Sequence, residues 1–166
     1  MSTSTKIRTM DPGEETAVSN LVATTFQHDV APHYAQEGIH EFLAYANPSA
    51  LQDRQSRNHI ILVASQNESI VGVLELRDYC HVSLLFVEPS QQRQGVGRLL
   101  MNEALRSIRA HHPETKEVTV NSSPNAVEAY KRFGFQTTGE LQVKNGIGFV
   151  PMALPLDITN KACDEF

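Results

Sequence analysis

The chain has 166 residues, of which 40% are hydrophobic, and a formal net charge of −5. This length and composition predict one globular domain, and the negative balance excludes a broad nucleic-acid-binding surface. The two cysteines, Cys80 and Cys163, the lack of an apolar run of membrane-spanning length and an N-terminus without a signal-peptide core predict a reducing cytoplasmic location and no membrane partner.

The first third of the chain predicts a short edge strand, Lys6 to Met10, followed by two helices. Asp11-Pro12-Gly13-Glu14 has the residues of a helix start, with Asp as N-cap, Pro at the first position and Glu three residues after the cap. Apolar residues at 18, 21, 22 and 26 then share one helical face. A second helix is predicted over 39–46 and ends before Asn47-Pro48.

From Ile60 onward the apolar pattern becomes that of strands. Three such runs follow one another: Ile60–Ala64, Ile70–Arg77 and His81–Val87. The polar segment Gln66–Ser69 between the first two predicts a hairpin turn.

The C-terminal part alternates helices with strands. The predicted elements are a helix over Val96–Ala110, a strand over Val118–Asn121, a helix that begins after Ser123-Pro124 and ends at Gly134, and strands over Phe135–Glu140 and Ile147–Leu154. This order mixes hairpins with helical crossovers, and it therefore predicts an α/β domain over residues 1–157 with a mixed sheet and helices on both of its faces. Residues 158–166 are expected to form a C-terminal tail.

The connection after the strand His81–Val87 is rich in glutamine and glycine and leads directly into a helix. The first turn of a helix leaves N–H groups without partners, and Gly95 and Gly97 let an anionic group approach the backbone. This predicts a site for a nucleotide-like cofactor; an ordinary tight turn is the alternative. The loop lacks the Gly-Lys-Ser/Thr of a P-loop, and Leu100 stands where a dinucleotide fingerprint needs a small residue.

The segment Gln92-Arg93-Gln94-Gly95-Val96-Gly97 resembles the Q/R-x-x-G-x-G/A signature of the GCN5-related N-acetyltransferase (GNAT) family. Residues 117–135, which include Asn-Ser-Ser-Pro-Asn-Ala-Val-Glu-Ala-Tyr-Lys-Arg-Phe-Gly-Phe, resemble the second block of that family in order and spacing. The resemblance extends from about Ile60 to Leu156. It implies a single-domain fold with a mostly antiparallel sheet of six to seven strands and about four helices. It also implies transfer of an acetyl group from acetyl-coenzyme A to a primary amine, by direct attack in a ternary complex.

The same resemblance assigns residues to the cofactor. The implied contacts come from the strand edge at Leu85, Phe86 and Val87, from the loop and first helical turn at Gln92, Arg93, Gln94, Gly95, Val96, Gly97 and Arg98, and from Asn121, Asn125 and Tyr130. Tyr130 matches the tyrosine that the family places near the coenzyme sulfur as a general acid, although a tyrosine in an amphipathic helix can also be a core residue. Asn125 can instead serve only as a helix cap.

The base that deprotonates the amine is less well marked by the sequence. Glu75 interrupts an apolar strand, where a carboxylate needs either a cleft or a partner such as Arg77. His81 has an ordinary pKa suited to the task, and a chain of water molecules is a further alternative to both. The histidines and cysteines do not have the spacing of a metal site, so no metal is expected.

The acceptor is the least determined part of the sequence-based function. Asp29, Glu37 and Glu41 either attract a cationic amine or form a solvated face, and small amines, amino acids, peptide N-termini and lysines all stay open. A homodimer is compatible with the sequence. The alternative function is a non-catalytic module that binds an acyl-coenzyme A as a sensor or in an interaction.

Overall fold

The computed structural model describes residues 4–156, which form eight strands, five α-helices and three short 3-10 turns. In chain order the elements are β1 (Lys6–Thr9), α1 (Glu15–Asp29), α2 (Gln36–Tyr45), α3 (Pro48–Gln55), β2 (His59–Gln66), β3 (Ser69–Arg77), β4 (His81–Val87), α4 (Val96–His111), β5 (Glu117–Ser122), α5 (Val127–Arg132), β6 (Gln136–Thr137), β7 (Gln142–Lys144) and β8 (Ile147–Pro155). The 3-10 turns are Ala31–His33, Pro89–Gln91 and Pro124–Ala126. The predicted tail, residues 158–166, lies outside the described residues.

One sheet organises the fold, with the strand order β1-β2-β3-β4-β5-β8-β6 and with β7 beside β8. β4 and β5 are parallel, whereas the other neighbouring strands are antiparallel. The predicted mixed, mostly antiparallel sheet is thus confirmed. β7 brings the strands to eight rather than six or seven, because Asn145 and Gly146, both with positive φ, turn it back onto β8.

Helices cover both faces of the sheet, as predicted. Alternate residues of β2 enter different cores: Ile61 and Val63 pack under α1, α2 and α3, while Leu62 and Ala64 pack under α4 and α5. Each core is built from the apolar stripe of its helices, for example Val18 of α1 on the first face. The burial of alternate side chains on both faces fixes the register of the central strands.

Two helix predictions need correction. α1 begins at Glu15 and not at Pro12, because Gly13 has φ +100° and the Glu14 side chain instead accepts hydrogen bonds from Arg8 and from the Asp11 N–H. The second correction concerns the region after α2, where the structure has a further helix that was not predicted.

A separate helix, α3, follows at once. Asn47 caps it by accepting a hydrogen bond from the Ala50 N–H at 2.8 Å, and Pro48 is its first residue.

The strand predicted over Phe135–Glu140 is also shorter in the structure, where β6 has only two residues. β6 pairs with Ala153 and Met152 of β8. The next residue, Thr138, donates its N–H to the Pro151 carbonyl, but Pro151 has no N–H to donate in return. The ladder therefore ends at that proline.

Candidate active site

The two parallel strands at the centre of the sheet separate soon after they meet. β4 and β5 pair only at His81 with Thr119 and at Val82 with Val120. On its other side β4 has a bulge at Ser83, since Val82 lies opposite Leu76 and the next paired residue is Leu84. A bulge bends its strand, and this one lies where β4 leaves β5. The edge of β4 that faces β5 is unpaired from there to Val87.

A cavity of about 160 Å³ opens between the separated strands; we call it the strand cleft. Its wall combines side chains of both cores: Leu85, Val87 and Tyr130 belong to the α4 and α5 face, and Phe42 and Phe86 belong to the face of α1 to α3. The strand cleft therefore passes through the sheet. Two reactants can approach each other in it from opposite faces.

The loop between β4 and α4 supplies unpaired N–H groups at one end of the strand cleft. Arg93 and Gly95 both have positive φ, at +64° and +88°, and no side chain caps α4. The N–H groups of Gln91 and Gln92 bond to the carbonyls of Glu88 and Pro89, while in the described structure those of residues 93–98 have no acceptor. Unpaired N–H groups at the start of a 16-residue helix form an anion site.

The two glycines of this loop are required for different physical reasons. Gly95 needs its conformation, because φ +88° is a strained angle for any other residue, although a Cβ there would meet nothing within 4 Å. Gly97 lies inside α4, and a Cβ there would make ordinary contacts of 3.7 Å with Phe133 and 3.9 Å with Val87. The fold itself has room for a methyl group at 97, so the lack of a side chain leaves the backbone open to an external group.

Gln92 and Asn125 connect the strand cleft to the end of α1. The Gln92 side chain donates to Asp29 Oδ2 at 2.8 Å and to the Val87 carbonyl at 2.9 Å. Asn125 Nδ2 donates to the Asp29 carbonyl at 3.1 Å. Through these hydrogen bonds Asp29 links the segment that follows β4 to the segment that follows β5.

Tyr130 is buried and lines the strand cleft. Its hydroxyl makes no hydrogen bond within the described structure, and its ring packs edge-on against Phe133 and Phe135. Burial raises the pKa of Tyr130 above its ordinary value. The phenol is therefore a proton donor, and not a phenolate, at neutral pH.

Glu75 lies away from the strand cleft, on the face of the sheet covered by α3, and its side chain is fully buried. Arg54 Nε donates to Glu75 Oε2 at 2.7 Å and Arg54 Nη2 donates to Oε1 at 3.1 Å, while His59 Nδ1 lies 2.7 Å from Oε2. The Arg54 guanidinium also lies 3.6 Å from the centre of the Tyr45 ring. We call Glu75, Arg54 and His59 the Glu75 cluster. The partner of Glu75 is therefore Arg54 of α3, and not the Arg77 considered from the sequence.

His81 is half-buried at the point where β4 and β5 pair, and its Nδ1 lies 2.7 Å from Thr119 Oγ1. Burial, together with the positive charge of Arg77, lowers the pKa of His81 to about 4. Its imidazole is neutral at pH 7 and a weak base.

The structure brings seven of the residues predicted from the sequence to the wall of the strand cleft: Leu85, Phe86, Val87, Gln92, Asn121, Asn125 and Tyr130. Residues 93–98 form the adjoining loop, whereas Glu75 and His81 do not line the cavity. Sequence reasoning missed Thr25, Tyr34 and Ser83 as lining residues, since nothing in their local patterns distinguishes them from residues of an ordinary helix, turn or strand.

None of the helices within residues 4–156 is long and apolar enough to span a membrane. The same residues contain no group of three or more His, Cys, Asp or Glu side chains arranged to hold a metal ion.

The chain is similar in sequence to known acetyltransferases. Residues 30–156 match the acetyltransferase (GNAT) domain family. The uncharacterized N-acetyltransferase YafP of Escherichia coli (strain K12) is 24% identical over 139 residues, which cover 84% of this chain and 86% of that protein.

Solved structures share the fold. A GCN5-related N-acetyltransferase from Rhodopseudomonas palustris superposes with a TM-score of 0.79 at 21% identity, over 94% of this chain and 99% of that one. The PaiA N-acetyltransferase from Thermoplasma acidophilum, solved in complex with coenzyme A, superposes with a TM-score of 0.76 at 17% identity, over 92% and 99% of the two chains.

Proposed function

The chain belongs to the acetyltransferase (GNAT) family, and we propose that the strand cleft is where it transfers an acetyl group from acetyl-coenzyme A to a primary amine. As a member of this family the chain is an acetyl-coenzyme A-dependent N-acetyltransferase. The observation that carries the assignment of the site is a cavity that passes through the sheet and has unpaired N–H groups at one end.

The residues on the α4 face fit the donor. The N–H groups of residues 93–98 bind the pyrophosphate, and the unpaired edge of β4 at Leu85 to Val87 hydrogen-bonds the amides of the pantetheine arm. The side chain of Gln92 already donates to Asp29 and Val87, and its backbone N–H donates to Pro89. The role of Gln92 is therefore to hold the loop in place. Asn121 and Asn125 lie on the β5 side of the same cleft.

The chemistry requires one bond to form and one to break. The amine nitrogen bonds to the thioester carbon, the carbon–sulfur bond breaks, and the nitrogen loses a proton while the sulfur gains one. Tyr130 donates the proton to the departing thiolate, since its buried hydroxyl lines the strand cleft and has no other partner in the described structure. A β4 N–H directed at the carbonyl oxygen stabilises its developing negative charge.

We assign the removal of the amine proton to water within the strand cleft rather than to Glu75 or His81. The Glu75 carboxylate already binds Arg54 and His59 and has no place in the cavity wall. Burial lowers the pKa of His81 to about 4, which makes it a poor proton acceptor.

Crystals soaked with coenzyme A test the donor site. The phosphates are expected within hydrogen-bond reach of the backbone N–H groups of residues 93–98, with the thiol near Tyr130. Coenzyme A bound elsewhere would overturn the assignment. Release of free thiol from acetyl-coenzyme A in the presence of an amine tests turnover, and stabilisation by the coenzyme without thiol release would favour a binding module.

Two sequence-based expectations remain predictions. A cytoplasmic location is tested by fractionating cells that express the protein. A homodimer is tested by the mass of the protein in solution.

A further inference from the structure

We infer that the acceptor is a small primary monoamine with an apolar or aromatic body, recognised by the part of the strand cleft that lies on the face of α1 and α2. This inference rests on the proposed function, because it names the class of amine that the same site accepts. It is carried by three features of the cavity wall: its aromatic rings, its single charged side chain and its unpartnered hydroxyl.

Four rings form a continuous surface on this side of the strand cleft; we call it the aromatic wall. Their members are Phe26, Tyr34, Phe42 and Phe86. The centre of the Phe26 ring lies 5.4 Å from that of Tyr34 and 4.1 Å from that of Phe42, and Phe42 lies 5.7 Å from Phe86. Phe26 is fully buried and supports the other three, which are half-buried. Such a surface favours an apolar body, and ring faces also attract a cation.

Two polar side chains of α1 lie beside this wall. Thr25 and Asp29 are four residues apart on the helix and so share one face. The Asp29 carboxylate accepts from Gln92 at Oδ2, and its Oδ1 lies 2.5 Å from His28 Nδ1; each oxygen keeps a further acceptor position, and 24% of the side chain is exposed. Thr25 Oγ1 is buried without a partner in the described structure. An ammonium group has three donors, which is enough for an acceptor on each of these two side chains.

The charges in the wall exclude two acceptor classes. Asp29 is the one charged side chain among the described residues that line the strand cleft, which include no Lys, Arg or His. A free amino acid would place its carboxylate near Asp29 without a cation in the cavity wall to pair it, which is unfavourable. A polyamine or an aminoglycoside would bring several ammonium groups to a site with a single carboxylate.

The volume of the cavity limits the body of the acceptor. The strand cleft has a volume of about 160 Å³ and is open to solvent, and an apolar cavity of roughly 150 Å³ is known to hold one benzene molecule. The acetyl end of the donor has to share this space. The part of the acceptor that enters the strand cleft is therefore a ring or a short chain.

A matched amine panel tests the inference by thiol release at saturating acetyl-coenzyme A. The panel contains phenethylamine, hexylamine, methylamine, phenylalanine, spermidine, kanamycin and a lysine-containing peptide. Phenethylamine and phenylalanine differ only by the carboxylate. We expect kcat/KM for phenethylamine and hexylamine to exceed that for phenylalanine, spermidine, kanamycin and the peptide by about tenfold or more.

Substitutions in the wall test the recognition itself. Asp29→Asn is expected to raise KM for phenethylamine about tenfold with kcat nearly unchanged, whereas Glu37→Gln, the same charge change on the exposed face of α2, is expected to leave KM unchanged. Phe42→Leu is expected to lower the ratio of kcat/KM for phenethylamine to that for methylamine. This ratio does not depend on the folded fraction of the sample. Tyr79→Leu removes a ring that stacks on His112 outside the strand cleft and is the matched control.

Calorimetric binding of phenethylamine and of phenylalanine to the complex with coenzyme A separates this inference from the proposed function. Preferential binding of phenethylamine without any thiol release would overturn the proposed catalysis and support the recognition. Thiol release that is fastest with kanamycin, spermidine, the peptide or phenylalanine would overturn the acceptor class and leave acetyl transfer intact. Neither binding nor thiol release with any amine would overturn both.

Discussion

Two polar regions lie on the same sheet, and they differ in where their polar groups find partners. In the Glu75 cluster the carboxylate has Arg54 and His59 within 2.7 Å, and its side chain is sealed from solvent. In the strand cleft the Tyr130 hydroxyl and the N–H groups of residues 93–98 have no partner within residues 4–156. Polar groups that satisfy one another hold a fold together, whereas polar groups left unpaired beside a cavity are available to a ligand.

The strand pairing around the two regions explains this difference. Glu75 lies in β3, which is paired on both sides by β2 and β4 at that position, so no opening forms beside it and its side chain meets Arg54 of α3 and His59 of β2. The strand cleft exists because β4 and β5 part after two paired positions.

The largest expected effect is loss of stability in the Glu75 cluster. Glu75→Ala leaves Arg54 buried without its carboxylate, and removing one partner of a buried pair typically lowers the free energy of unfolding by about 3–5 kcal/mol. Urea denaturation measures it. Glu103→Ala breaks the exposed pair with Arg106 and is expected to change the free energy of unfolding by less than about 1 kcal/mol. If the Glu75→Ala variant had normal stability but no activity, Glu75 would instead have a role in the reaction.

The next effect is on turnover in the strand cleft. Tyr130→Phe removes the proposed proton donor and keeps the ring packing, so kcat is expected to fall about 10²-fold while KM for acetyl-coenzyme A changes little. Steady-state thiol release measures both constants. Tyr79→Phe, which removes a hydroxyl outside the cavity, serves as the control. Unchanged turnover of the Tyr130 variant at saturating substrates would remove this residue from the mechanism.

Substitutions of the two glycines of the loop are expected to have separate effects, one on coenzyme binding and one on stability. Gly97→Ala is expected to weaken coenzyme A binding about tenfold without loss of stability, because the fold has room for the methyl group and the phosphates need the backbone. Gly95→Ala is expected to lower the free energy of unfolding by about 1–2 kcal/mol, because its φ is +88°. Calorimetry and urea denaturation measure the two effects. Equal affinity of the Gly97 variant and the parent would contradict the phosphate site.

The last effect concerns the pH dependence of stability. The pKa of His81 is about 4 in the folded chain and about 6.5 when unfolded, so the unfolded state binds the proton first and stability is lost as the pH falls from about 6.5 to 4. His81→Asn is expected to make this loss shallower. Unfolding free energies at pH 7 and 4.5 measure it. The same loss in both proteins would show that His81 keeps its ordinary pKa.

The reliability of the sequence-based predictions follows the range of the interactions involved. The helix stripe at 18, 22 and 26 and the strand run of 81–87 were predicted correctly, because each depends on neighbours within a few residues. α3 was missed although Asn47-Pro48 has the residues of an N-cap and a first helical position. The hairpin at Asn145-Gly146 was missed although that dipeptide is typical of a tight turn.

For the candidate site too, residues in local motifs were identified from the sequence, whereas contacts between distant residues were not. The loop from Gln92 to Arg98 and Tyr130 were identified from local motifs, and their places beside or in the strand cleft agree with the roles proposed for them. The partner of Glu75 could not be identified, because Arg54 lies 21 residues away and meets it only after α3 packs on the sheet. Thr25 and Tyr34 likewise reach the cavity wall only through the docking of α1 and of the turn that follows it.

The glycine positions of the loop and the helix and strand periods could be predicted from the residues alone, because they depend on the backbone preferences of near neighbours, and the family could be predicted from local motifs. Which carboxylate is sealed in a cluster and which one lines a cavity depended on the three-dimensional packing. Glu75 and Asp29 have the same chemical group. Long-range packing seals the first between Arg54 and His59, whereas the second contacts its neighbour His28 and lies at an opening between two strands. Such contacts join residues far apart in the chain, so no local pattern contains them.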